Sequence, residues 1–243
     1  MIKCSSLLVL TAAATLSAAT LPATAQSSDG DQPGTFAQPS IVNPSWEFDL
    51  EVGRPNAIKV RDDRGVERWY WYLPYKVINN SGEDRLFVPE ITVIDEKGRI
   101  VQANRRIPGE VFPAISQRLG NSLLLSPNDV VGRLLQGGDF AKESVAIWPA
   151  SREDVDEMTI FFTGADGETQ PLKSPSTGET LMEPVVDPVT GEPVLDADGQ
   201  PEMRPMMVRR TRAYTYATPG TLGRSDDLQQ QPVRLIDQTT VMR

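Results

Sequence analysis

One segment, Val66 to Asn79, constrains the fold of this chain more than any other. Its side chains alternate in character from one position to the next, and a period of two predicts a β-strand. The odd-numbered positions hold the larger apolar groups, namely Trp69, Trp71, Leu73, Tyr75 and Val77. We expect this odd face to be buried. The even face carries Tyr70 and Tyr72, and we expect it to be half exposed.

Shorter segments with the same strand pattern recur along the rest of the chain. They are Ser45–Glu51, Ala57–Arg61, Leu86–Asp95, Arg99–Val101, Ser144–Trp148, Met158–Thr163 and Met206–Ala217, followed by a last short strand at Val233–Asp237. Turn-forming residues separate these segments and helical periodicity is scarce, which indicates a β-sandwich or a β-barrel. We expect the strand at 206–217 to pair with the strand at 158–163.

A few segments depart from this regular pattern. Pro74 and Pro89 lie inside predicted strands, and each marks an edge position or a bulge because proline lacks a backbone N–H. One short helix is predicted between Pro108 and Leu119. The segment Asp129–Leu135 fits either a strand or a helical turn, and the sequence leaves both open.

Residues 164–205 differ in composition from the predicted strands. They contain seven prolines and few large apolar side chains. Ser174–Met182 matches Asp187–Leu195 as an internal repeat, and a shortened third copy follows at Asp196–Pro201. Each unit predicts a turn with a few extended residues. We therefore expect a long excursion before the last core strand, either as a protruding hairpin or as a mobile loop.

The N-terminus has the three parts of a secretory signal peptide. Lys3 is its only charge, an apolar stretch covers residues 7–21, and small residues ending at Ala25 form the cleavage site. We predict cleavage after Ala25 and a periplasmic or secreted protein. Residues 26–42, rich in Gly, Pro and Ser, then form a flexible linker.

The residue types that remain after cleavage exclude several kinds of chemistry. Cleavage removes Cys4, the only cysteine, and the chain has no histidine. The mature chain therefore has no Ser-His-Asp triad, no thiol nucleophile and no His/Cys zinc site. It also lacks a Gly-rich phosphate loop and the familiar serine-nucleophile motifs. We expect no enzyme activity and no cofactor.

Charge and hydropathy limit the partners of the mature chain. It carries 33 acidic against 23 basic residues, so we expect no nucleic-acid partner, which would reward clustered Lys and Arg. Without a second long apolar run, we also expect no insertion into a membrane after cleavage.

Two weak candidates for a binding site remain. Asp196 and Asp198 precede Gly199 with the alternation of a calcium loop, but the later bidentate glutamate is missing, and a plain Asp-Gly turn explains them better. Tyr70 and Tyr72 would contact a sugar or a protein if the even face of their strand is exposed. An ordinary cross-strand pair of exposed tyrosines is the alternative.

A longer segment, Val131–Pro149, has the sequence VGRLLQGGDFAKESVAIWP, and it is accompanied by Phe161–Gly164, Val208–Thr211 and Thr218–Gly220. Together these segments resemble a family of uncharacterised exported bacterial proteins. The resemblance spans about residues 46 to 220 and implies an immunoglobulin-like β-sandwich in the cell envelope. It implies no activity and no functional residue.

These expectations divide the chain into a signal peptide (1–25), a linker (26–42), a single mainly β domain (43–220) with its excursion, and a polar tail (221–243). Our first hypothesis is a non-catalytic module of the cell envelope that binds a protein or has a structural role. The extended units of the excursion are suited to add a strand to a sheet edge. The alternatives are a protein that binds carbohydrate or cleaves it with paired carboxylates, and a calcium-stabilised surface module.

Overall fold

The computed structural model describes residues 46–61, 65–150, 154–221 and 233–243. The predicted signal peptide with its cleavage site and the linker at 26–42 lie outside these ranges. The described part forms fourteen β-strands and one α-helix, α1 (Val111–Leu119), which lies within the predicted helical segment. The strands are β1 (Asp49–Val52), β2 (Asn56–Arg61), β3 (Glu67–Ile78), β4 (Arg85–Phe87), β5 (Glu90–Asp95), β6 (Ile100–Gln102), β7 (Gly132–Leu134), β8 (Lys142–Pro149), β9 (Asp154–Thr163), β10 (Thr169–Pro171), β11 (Met182–Pro184), β12 (Met203–Pro205), β13 (Met207–Thr221) and β14 (Arg234–Met242).

β3 is the central strand of the first sheet and matches the predicted strand at 66–79. It pairs antiparallel with β8 on one edge and with both β1 and β2 on the other. Between β1 and β2, three residues stand opposite two residues of β3, and the Gly53 N–H donates to the Pro74 carbonyl at 2.9 Å. Pro74 thus lies opposite a bulge, which confirms one of its two predicted roles.

The second sheet has the strand order β14–β13–β9–β5–β6, and its neighbouring strands are antiparallel. The predicted pairing between the segments at 206–217 and 158–163 is confirmed, with Thr211 opposite Thr163. The last predicted strand is also present, and it continues beyond Asp237 to Met242.

The predicted strand Leu86–Asp95 is two strands rather than one. Pro89 separates β4 from β5, because a proline cannot donate to the ladder. β5 stays in the second sheet, whereas β4 pairs with β7 in a separate two-stranded sheet. β7 occupies part of the segment 129–135, so the ambiguous region contains a strand.

The main core lies between the two sheets. The odd face of β3 contributes Trp71, which is 1% exposed and stands opposite Trp148 of β8. Tyr75 packs edge-on against Phe162 of β9, with ring centroids 5.1 Å apart. Trp69 is half-buried at the margin of this core. The prediction of a buried odd face is therefore confirmed, except that Trp69 is only partly covered.

The even face of β3 was expected to be half exposed, and this expectation is wrong for Tyr70 and Tyr72, whereas Arg68 is exposed and Lys76 is partly exposed. Tyr70 is 4% and Tyr72 is 2% exposed, because α1 covers this part of the face. Val111 and Ile115, four positions apart on one side of α1, pack into the same cluster. The result is a layered arrangement of sheet, sheet and helix, in which Tyr70 and Tyr72 are core residues and offer no surface contact.

Candidate functional site

The excursion begins after β9, and its first strand, β10, still pairs with β13 of the second sheet. On β13, the Arg209 N–H donates to the Arg243 carbonyl at 2.7 Å, whereas the Arg210 N–H donates to the Glu168 carbonyl at 3.0 Å. Consecutive strand residues direct their N–H groups to opposite edges, so β10 continues on the β9 side of β13 while β14 occupies the other side. The excursion is therefore rooted in the sheet by paired strands.

Charged side chains surround this root. The side chain of Asp166 is 2% exposed, and its Oδ2 lies 4.0 Å from Arg210 Nε. Glu168 lies 3.6 Å from another nitrogen of the same guanidinium. Next to them, Arg212 pairs with Glu47 and so ties the start of the described chain to β13. Burial raises the pKa of the Asp166 carboxyl, and Arg210 offsets this effect only in part.

The Asp166→Asn variant tests the energetic role of this buried charge. Asn keeps an acceptor for the Glu168 N–H, which Asp166 Oδ1 accepts at 3.1 Å, and removes the charge. Because folding raises the pKa of Asp166, its protonated form is favoured in the folded state, and stability is lost as the pH rises through the raised pKa. We expect Asp166→Asn to melt above the wild type at pH 7, by a margin that shrinks as the pH falls through that pKa.

Thermal unfolding between pH 3 and 7 measures this margin. Asp166→Ala is the matched control, because it removes the same charge but also leaves the Glu168 N–H without its acceptor, and it should be about 1–2 kcal/mol less stable than Asp166→Asn at pH 7. If Asp166→Asn melted below the wild type at pH 7, the charge would be net stabilising and our account of the root would be wrong.

Beyond the root, residues 172–206 form a branched structure that we call the arm. Its first branch point joins three residues in a ring of backbone hydrogen bonds. Leu172 donates to Met206 at 2.7 Å, Met206 donates to Leu181 at 2.8 Å, and Leu181 donates back to Leu172 at 2.8 Å. The ring closes a tight loop at 172–181 and passes the chain on to the β11–β12 pair.

A second branch point repeats the first. Val185 donates to Glu202, Glu202 donates to Val194 and Val194 donates to Val185, each at 2.8 Å. Val185 and Val194 of this ring are equivalent to Leu172 and Leu181 of the first ring, and each lies 13 positions later in the chain. The two copies of the predicted sequence repeat are separated by the same 13 positions. The repeat is therefore a structural one, and the excursion is a hydrogen-bonded, branched hairpin.

The third, shortened copy of the repeat forms the turn that contains the calcium candidates. Asp196 Oδ1 accepts the backbone N–H groups of Asp198 and Gln200, both at 2.9 Å. This is the bonding of an ordinary Asx turn. The described residues contain no group of three or more His, Cys, Asp or Glu side chains placed to share a metal ion. The geometry of Asp196 and Asp198 is thus accounted for by the turn.

The arm has no core of its own. None of its side chains is buried, and Val189 is 91%, Leu195 59% and Met203 49% exposed. The same 35 residues carry seven acidic and two basic side chains, of which Arg204 pairs with Glu183 at 2.8 Å. The arm thus combines satisfied backbone hydrogen bonds with exposed apolar groups and a net negative charge.

A groove of about 500 Å³ on the outer face of the first sheet contains paired carboxylates. Glu51 and Glu143 flank Lys76 there, each directly opposite it across a strand pair. Sugars commonly stack on exposed aromatic rings, yet Phe140, which does not line the groove, is the one largely exposed aromatic residue among those described. The carbohydrate hypothesis therefore loses the tyrosine surface on which it was based.

The comparisons add no relative to this description. Comparison with protein-family models, with curated proteins and with solved structures gives no match. The resemblance to exported bacterial proteins therefore stays a prediction. In the described part of the chain, no helical segment has the length and hydropathy of a membrane span.

Proposed function

We propose that this chain is a non-catalytic binding module of the cell envelope and that the arm contacts a protein partner. The observation that carries the proposal is the exposure of Val189, Leu195 and Met203 on a segment whose backbone is held by its own hydrogen bonds. Apolar side chains exposed on an ordered protrusion are available to contact a partner without unfolding the domain. An ordered segment also loses less conformational entropy on binding than a disordered one.

The partner's chemistry follows from the charge of the arm. Seven carboxylates against two basic groups favour a partner with a basic surface, and the apolar side chains favour non-polar contacts at its centre. Electrostatic attraction of this kind mainly speeds association and weakens with added salt.

The fold that we propose is immunoglobulin-like. The order β1/β2–β3–β8 corresponds to strands A, B and E of that fold, and β13–β9–β5–β6 corresponds to G, F, C and C′. In this scheme the arm replaces the F–G loop, a position that antibody variable domains use for recognition. The location in the envelope rests on the predicted signal peptide.

A shortened variant tests the proposal. Pro171 and Met207 stand directly opposite each other in the β10–β13 pair, so an Asn-Gly turn can replace residues 172–206. We expect the shortened variant to stay folded and to lose the envelope partners that the full chain retains after crosslinking and affinity capture.

A charge variant refines the same test. Glu179, Glu183, Glu192 and Glu202 changed together to Gln should weaken capture and reduce its salt dependence, while the arm remains in place. Capture of the same partners by a folded, shortened variant would overturn the proposal, because another surface would then hold them.

A further inference from the structure

The outer edge of β14 is a free edge of the second sheet in the described part of the chain. β14 spans nine residues and pairs with β13 along one edge, and no described strand covers the other. Its side chains are exposed from Arg234 to Thr239, so both faces of the strand are open there, and Leu235 and Ile236 are 43% and 45% exposed. An edge of this kind is a template for pairing with another strand.

The hydrogen bonds to β13 show which groups face outward. Arg243 exchanges both backbone hydrogen bonds with Arg209, at 2.7 and 3.0 Å. In an antiparallel ladder such bonded pairs alternate, so Gln238, Thr240 and Met242 direct their N–H and C=O groups to the free edge. A bulge between the partners of Thr215 and Tyr216 interrupts this order at Ile236. The regular free edge thus covers residues 237–243.

The middle of this edge lacks the features that protect the β1–β2 edge. On the first sheet, the edge formed by β1 and β2 carries a bulge, Pro55, Lys59 and Arg61, which all discourage pairing. Residues 238–242 contain no proline, no charged side chain and no bulge. Their open edge is therefore compatible with the approach of another strand.

We propose that a second copy of this chain pairs with the β14 edge, antiparallel and symmetric about Thr240. Residues that stand opposite each other in an antiparallel pair have their side chains on the same face of the sheet. When two copies of β14 pair in this way, the two opposite residues are therefore both odd-numbered or both even-numbered. Among such registers, the one centred on Thr240 places Asp237 of each copy opposite Arg243 of the other. It also forms reciprocal backbone bonds between Gln238 and Met242 and between the two Thr240 residues.

The charges at this edge favour that register. Neither the Asp237 carboxylate nor the Arg243 guanidinium has an ion-pair partner among the described residues. In the single copy, Arg243 lies over the Phe161 ring, 4.2 Å from its centroid. In the dimer the guanidinium exchanges this contact for the Asp237 carboxylate across the edge. The register centred on Asp237 would instead oppose two carboxylates, which is unfavourable.

Charge reversal tests the register with the mature full chain. Sedimentation equilibrium over a range of concentrations measures self-association of the wild type, Asp237→Arg, Arg243→Asp and the double variant. We expect each single reversal to weaken association about tenfold or more, and the double variant to restore it, because the ion pairs are re-formed with opposite polarity.

A proline variant provides a second, independent test. Thr240→Pro removes an N–H that faces the free edge, so β14 should stay paired with β13 while the dimer is lost. Circular dichroism confirms that each variant is folded. A wild type that stays monomeric at every concentration, or single reversals that leave association unchanged, would overturn the proposal.

Discussion

Replacing Trp71 with alanine lowers the free energy of unfolding by about 3–5 kcal/mol, the largest loss that we expect from any single substitution in the core. Trp71 is 1% exposed and lies between Ala57 and Trp148 on the neighbouring strands. Its removal leaves a large cavity between two sheets that cannot close around it, because both are fixed by their ladders. Urea unfolding at equilibrium measures the change.

Two further variants isolate the cause. Trp69→Ala removes the same side chain from the same face of β3, but Trp69 is only half-buried, so we expect a clearly smaller loss. Trp71→Phe should also lose less, because it keeps most of the volume and removes an indole N–H that has no hydrogen-bond partner. Equal losses for Trp69→Ala and Trp71→Ala would contradict the assignment of the core.

Gly164→Ala is the second substitution with a large expected effect, a loss of more than about 2 kcal/mol. Gly164 directly follows β9 and has φ at +93°, and a Cβ there would lie 2.5 Å from the Val88 carbonyl oxygen. The obstacle is backbone, at the point where the chain passes from β4 to β5, so it cannot be relieved by a side-chain rotation.

Gly178→Ala is the matched control for this substitution. Gly178 also has a positive φ, +74°, but nothing lies within 4 Å of its hypothetical Cβ. It should therefore show the backbone strain alone, about 1–2 kcal/mol at most. Thermal and urea unfolding of both variants separate the two effects. Similar losses at Gly164 and Gly178 would show that the close approach to Val88 is unimportant.

The sequence predicted those features of the fold that can be read from the side-chain pattern of a single strand. The alternation of residues 66–79 identified β3 and its buried odd face, since a period of two directly reports side-chain direction. The same alternation could not show that α1 covers the other face. That depends on the packing of Val111 and Ile115 against the sheet, which is a tertiary contact, so Tyr70 and Tyr72 were misplaced.

The candidate site was predicted in part. The 13-residue offset between the copies that start at Ser174 and Asp187 was visible in the sequence, and the structure shows equivalent turns in both. The branch points were missed, because each joins residues such as Leu172 and Met206 that are far apart in the chain. The free edge of β14 was missed for the same reason, since edge and centre strands have similar sequence patterns.

Site-specific photo-crosslinking most directly tests the claim that the arm is the surface that binds a protein partner. A photoreactive phenylalanine analogue replaces either Val189, 91% exposed on the arm, or Leu123, 84% exposed near the C-terminal end of α1. In native cells we predict a discrete crosslinked protein from position 189, identified by mass spectrometry as one with a basic surface, and none from position 123. The same crosslinked protein from position 123, with nothing from position 189, would contradict the account.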